Sequence, residues 1–151
     1  MANPLREAVK RRFYPFAESS GFLRAKSSHP HFTSFRRVRG DIAQVFDIQW
    51  DKYGRPSFVI NFGEVCLNEP ESSAAAVETQ HCPALLRLIP DKGSPRWWRL
   101  RKPWLEALAT GRLRHEPNDV VDQVITYFME AETWWAEKVE GPHVRLQWRI
   151  R

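Results

Sequence analysis

Asp41-Ile-Ala-Gln-Val-Phe-Asp-Ile-Gln-Trp-Asp-Lys-Tyr-Gly-Arg-Pro-Ser-Phe-Val-Ile-Asn-Phe-Gly63 reads as two adjacent β-strands around a tight turn. In the first arm Ile42, Phe46, Ile48 and Trp50 share one parity, and in the second Phe58, Ile60 and Phe62 do. That is the period-two pattern of strands with one face against a core. Between the arms, Tyr53-Gly54-Arg55-Pro56 supplies a glycine for a positive φ and a proline without an amide proton, so the ladder reverses there.

Upstream, Phe22 to Lys26 and His31 to Val38 read as short strands divided by Ser27-Ser28-His29-Pro30, with Arg39-Gly40-Asp41 turning into the hairpin. Before them, Asn3-Pro4 opens a helix, since Asn caps free amides and Pro is tolerated at the first helical position. Leu5, Val9, Phe13 and Phe16 place its apolar stripe on one side, Pro15 is expected to kink it, and Ser19-Ser20-Gly21 stops it.

Downstream, residues 68–79 turn to Glu, Ser, Ala and Pro and are expected to form a surface loop. The apolar runs 81–89 and 95–100 are too short for periodicity to separate helix from strand; a strand is expected over Leu85–Ile89. Pro103 opens a short helix through Leu108 that Thr110-Gly111 closes. A long helix is expected from about Asn118 to Lys138. Val121, Val124, Ile125, Phe128, Met129 and Trp135 follow three-and-four spacing, which Glu132 interrupts. The tail alternates, with Val144, Leu146, Trp148 and Ile150 on one face and Arg145, Gln147, Arg149 and Arg151 on the other. The expected architecture is a single α+β domain over residues 1–151. Its antiparallel sheet has about five or six strands, with helices packed mainly on one face.

The chain has 151 residues, 42% of them apolar, with seven Trp and nine Phe, which is ample for one aromatic-rich core. A net charge of +5 favours acidic or polyanionic partners without choosing among them. Cys66 and Cys82 form no CxxC pair, so neither a disulfide framework nor a zinc ribbon is indicated. No apolar h-region opens the chain and no run nears the roughly 18 apolar residues of a membrane span, so a cytoplasmic location without membrane contact is expected.

Several short motifs carry a family resemblance: Gly21-Phe22 after the first helix, Phe35-Arg36, Ile48-Gln49-Trp50, the Tyr53-Gly54 turn, Phe58-Val-Ile-Asn-Phe-Gly63, and Arg87 followed by Trp97-Trp98. Together they resemble the bacterial family catalogued as domain of unknown function 4304, from the first helix to about Leu100. That resemblance implies an α+β fold and, because some members look like immunity or partner-binding proteins, a non-enzymatic role. It transfers no catalytic residue.

Pro95-Arg-Trp-Trp-Arg-Leu-Arg-Lys-Pro-Trp104 interleaves four cations with three indoles. Arg96, Trp97, Trp98, Arg99, Arg101 and Lys102 could there neutralise phosphates and stack bases. The competing reading puts one or two of the tryptophans in the core and leaves the cations as a solvated rim. Arg36 and its neighbours, and the arginines of the last strand, would enlarge such a patch. On an edge strand, Arg145, Arg149 and Arg151 would equally discourage sheet-to-sheet aggregation.

His29, His31, Cys66, His81 and Cys82 are ligand types without the spacing of a familiar zinc site, and neither metal nor cofactor is expected. No nucleophile with a base, carboxylate pair or glycine-rich phosphate loop is present as a motif. Asp47, Asp51 and Glu64 are expected to be solvated on the sheet's outer face. Asn61, unusual in mid-strand, is expected either to bridge to a neighbouring loop or to touch a ligand. The functional expectation is a protein-binding domain, with nucleic-acid binding through the basic-aromatic segment as the alternative and an enzyme third.

Overall fold

The computed structural model describes residues 3–67, 78–91 and 97–150. Helix α1, Pro4–Ala8, begins as the sequence suggests: the Asn3 side chain accepts from the amides of Leu5 and Arg6, and Pro4 stands in the first turn. The expected kink at Pro15 takes another form. Residues Val9–Phe13 widen into a π-turn in which the Tyr14 amide donates to the Val9 carbonyl, and α2 follows over Tyr14–Ser19. A proline ring crowds the carbonyl four residues back, here that of Arg11, and a wider turn upstream relieves this without breaking the rod. Gly21, at φ 93, ends the segment in a conformation that L side chains rarely adopt.

Seven strands make one antiparallel sheet: β1 Leu23–Ala25, β2 Phe32–Arg39, β3 Ile42–Trp50, β4 Ser57–Cys66, β5 Ala84–Leu88, β6 Trp98–Arg99 and β7 Val144–Arg149. The first five pair in chain order, β7 flanks β5, and β6 pairs with one end of β4. The opening hairpin has the register Phe46↔Phe62, Ile48↔Ile60 and Trp50↔Phe58, so its apolar parity forms cross-strand pairs. Helix α3 is Trp104–Thr110, closed by Gly111 at φ 70, and α4 is Pro117–Glu137.

α1, α2 and α4 cover the face that carries Phe46, Ile48, Phe58, Ile60, Phe62, Leu86 and Leu88, and Phe13, Phe22 and Phe128 fill the space between. Trp135 is buried in the same core, and its indole donates to the Gly63 carbonyl at 2.8 Å, tying α4 to β4. Glu132, the break in the α4 stripe, pairs with Arg37 of β2.

The other sheet face departs from expectation. β3 and β4 are buried on both faces along most of their length, because the Glu78–Pro83 segment folds back over Gly63. Ala43, Val45, Leu67 and Cys82 form a second small core there, and burial pushes the Cys82 thiol up to about 12. Asp47 is therefore not solvated, and is only 2% exposed. Of the expected 68–79 loop, residues 68–77 lie outside the described residues; Thr79 is buried and begins a single 3-10 turn. No described helix is long and apolar enough to cross a membrane.

Candidate binding surface

Strand alternation separates the two adjacent tryptophans. Trp98 pairs in register with Phe58 on the helix-covered face, stacks on it at 5.7 Å, and donates its indole N–H to Gln123 of α4 at 3.0 Å. At 2% exposure it plugs the core and has no free ring face for a base. Trp97 falls on the opposite, open side, half-buried, with the Arg87 guanidinium 5.9 Å from its ring.

Three concavities meet at Trp97. One, of about 490 Å3, is lined by Arg55, Arg99, Arg101 and Arg114 together with Asp51 and Ser57. A second, of about 330 Å3, brings Arg87 and Arg145 beside Ile89, Leu146 and Gln147. A third, of about 650 Å3, collects His29, His31, Gln49, Trp50 and Tyr53. Lys102 is half-buried, its ammonium held by Thr110 Oγ1 at 3.0 Å, while Arg99 and Arg101 are exposed. Arg96 lies outside the described residues. Arg36 is half-buried on β2, opposite Val45, and is not brought to this surface.

Asn61 belongs to a polar cluster within the open face. Its amide donates to Asp47 Oδ1 at 2.8 Å and to Gln49 Oε1 at 3.0 Å, and its carbonyl accepts from Arg87 Nε at 2.8 Å. Thr79 Oγ1 donates to the other Asp47 oxygen. Burial raises the Asp47 pKa to about 6, against the lowering effect of these hydrogen bonds and of the Arg87 charge. The bridge expected of Asn61 is thus made to strand neighbours and, through Asp47, to the Thr79 segment. The cue to this cluster lay in the odd positions of the hairpin: Ala43, Val45 and Val59 stand among its polar residues, and a strand apolar at both parities is buried on both faces.

The short helix expected from Pro103 to Leu108 is present as α3, and what the sequence reading missed is its exposure. None of its residues is buried: Trp104, Leu105 and Leu108 are 71%, 66% and 73% exposed, and Leu113 just beyond is 78% exposed. Trp104, Leu108 and Leu113 line a groove of about 650 Å3 together with Arg99, Arg101 and Lys102. A short helix with a Trp and two Leu reads from sequence as a core-seeking element, and only its position shows that nothing described covers it. Among the described residues no three His, Cys, Asp or Glu side chains assemble as metal ligands. No family model matches the chain, and neither a curated protein nor a solved structure matches it.

Proposed function

We propose that this chain is a docking domain that holds an acidic, amphipathic segment of a partner protein in the groove between α3 and the Arg99–Lys102 stretch. The observation that carries this is the exposed apolar face of Trp104, Leu105, Leu108 and Leu113. Four large apolar side chains clustered in the open mark a binding surface more than scattered single ones do. Charge selects the occupant. With Arg99, Arg101 and Lys102 in the same lining as Trp104, Leu108 and Leu113, a segment carrying Asp or Glu beside its apolar stripe is matched in both charge and apolar character. A second copy of this chain would bring the same cations against these and be repelled. Trp104 and a rim arginine are the residue types that dominate such interfaces.

A second reading has its own observation: Arg55, Arg99, Arg101 and Arg114 surround a single concavity beside Trp97, an arrangement that also suits a nucleic-acid strand. Salt and nuclease separate the two. Wild type and a Trp104→Ser, Leu108→Ser variant would be used to capture partners from a lysate of the source organism, with and without nuclease, at about 50 and 200 mM salt. Docking requires one protein with an acidic amphipathic segment, retained after nuclease and lost in the variant. Recovery that nuclease abolishes, or that the variant leaves unchanged, would overturn it.

A further inference from the structure

We propose that Arg87 and Arg145, with the Trp97 ring beside them, form a binding site for an oxyanion, a carboxylate or phosphate, carried by a small molecule with a flat apolar body. The inference stands apart from the docking reading, because the two concavities share no lining residue.

Arg87 of β5 and Arg145 of β7 are register partners on neighbouring antiparallel strands. Directly opposed residues in such a pair have Cβ atoms roughly 5 Å apart, and like charges there repel. Arg87 cannot turn away. Its Nε donates to Asn61 Oδ1 at 2.8 Å and its Nη2 to Gln49 Oε1 at 3.2 Å, which fixes the guanidinium plane with neutral amides. The carboxylate behind those amides, Asp47, is engaged by Asn61 and Thr79. Among the described residues, no acidic side chain forms a salt bridge with either arginine. Burial pulls the Arg87 pKa below its usual value; Asp47 opposes this and the Arg145 charge adds to it.

Two guanidiniums on one face, that of Arg87 fixed and that of Arg145 exposed beside it, with no shared counter-charge among the described residues, make a clamp that an oxyanion would complete, since guanidinium forks match carboxylate and phosphate oxygens two at a time. The rest of the lining sets the body of the ligand. Trp97 and Ile89 offer an aromatic and an aliphatic wall, Gln147 supplies an amide, and about 330 Å3 is small-molecule size.

The test uses thermal unfolding at constant ionic strength, with chloride as reference and inorganic phosphate, phenyl phosphate and benzoate as probes, on wild type, Arg145→Gln, Arg149→Gln and Trp97→Leu. Arg145 is exposed, so its replacement leaves the core intact. In chloride, Arg145→Gln should melt about 1–2 °C above wild type, because one half of a repelling pair is gone. With phenyl phosphate or benzoate, wild type and Arg149→Gln should rise and Arg145→Gln should not. Protection by both probes identifies a general oxyanion site, and protection by phenyl phosphate alone identifies a phosphate site. Trp97→Leu should keep the response to inorganic phosphate and lose the added response to the aryl probe. Equal protection of wild type and Arg145→Gln, no protection of either, or a lower melting temperature for Arg145→Gln in chloride would each overturn the proposal and leave Arg145 as a guard on an edge strand.

Discussion

Arg37 and Glu132 meet in a two-point pair between β2 and α4: Nη1 donates to Oε1 at 3.0 Å and Nη2 to Oε2 at 2.9 Å. The same guanidinium donates to Gln44 and to the Ser20 carbonyl and lies 4.2 Å from the Phe22 ring, so a charge sits within the aromatic core fully partnered. Removing the carboxylate strands that charge. Glu132→Leu should cost about 3 kcal/mol in urea unfolding, and Arg37→Met with Glu132→Leu should recover most of it, since it is the orphaned charge and not the missing pair that is costly. A double variant as unstable as the single one would refute this.

Gly63 has no space for a side chain. A Cβ there would stand 2.7 Å from the Ala84 carbonyl oxygen and 2.8 Å from Cys82 Sγ. Gly63→Ala should therefore destabilise by about 1–3 kcal/mol. Adding Cys82→Ala should restore only part, because the backbone oxygen remains in the way. Full restoration would contradict this, since it would mean that the Ala84 carbonyl at the start of β5 gives way to the new methyl group.

Asp47 should make stability depend on pH in a defined window. Its folded pKa is raised, from 3.8 to about 6, so the acid is held neutral in the fold at pH values where the unfolded chain has already ionised. This group's favourable contribution is fully present below about pH 4 and is lost as pH rises to about 6, up to roughly 3 kcal/mol in all. Asp47→Asn removes the ionisation, so wild type should lose stability relative to it across that window, with parallel curves above. Parallel curves throughout would contradict the burial described for Asp47.

The adjacent tryptophans and α3 should separate in a mutational series. Trp98→Ala should cost about 3–5 kcal/mol as a core deletion. Trp104→Ala and Leu108→Ala should each stay within about 0.5 kcal/mol of wild type, as surface changes do. Sedimentation at low salt should show a monomer, because like-charged walls oppose self-docking through α3.

Much of this fold was legible in the sequence because burial writes itself into spacing. The parity of Phe46, Ile48, Trp50, Phe58, Ile60 and Phe62 gave the central hairpin, and the Val121–Trp135 stripe gave α4. The second buried face was not read, because Asp47 and Asn61 look like solvent residues until Thr79 and Arg87 are brought beside them by contacts distant in sequence. The candidate surface was half legible. The segment 95–104 was singled out, yet the division of Trp97 from Trp98 depends on two residues of pairing with β4, too short to leave a period. α3 was foreseen as a helix from Pro103 and its Thr110-Gly111 stop, but its exposure was not, because an uncovered apolar helix and a core helix share one composition.

The docking account is tested most directly by hydrogen–deuterium exchange on the complex with the captured partner. The expected result is slowed exchange across residues 99–113 and in one acidic amphipathic stretch of the partner, with β1 and its edge unchanged. Slowing confined to β1 or to the β7 edge, with α3 exchanging as in the free protein, would contradict it.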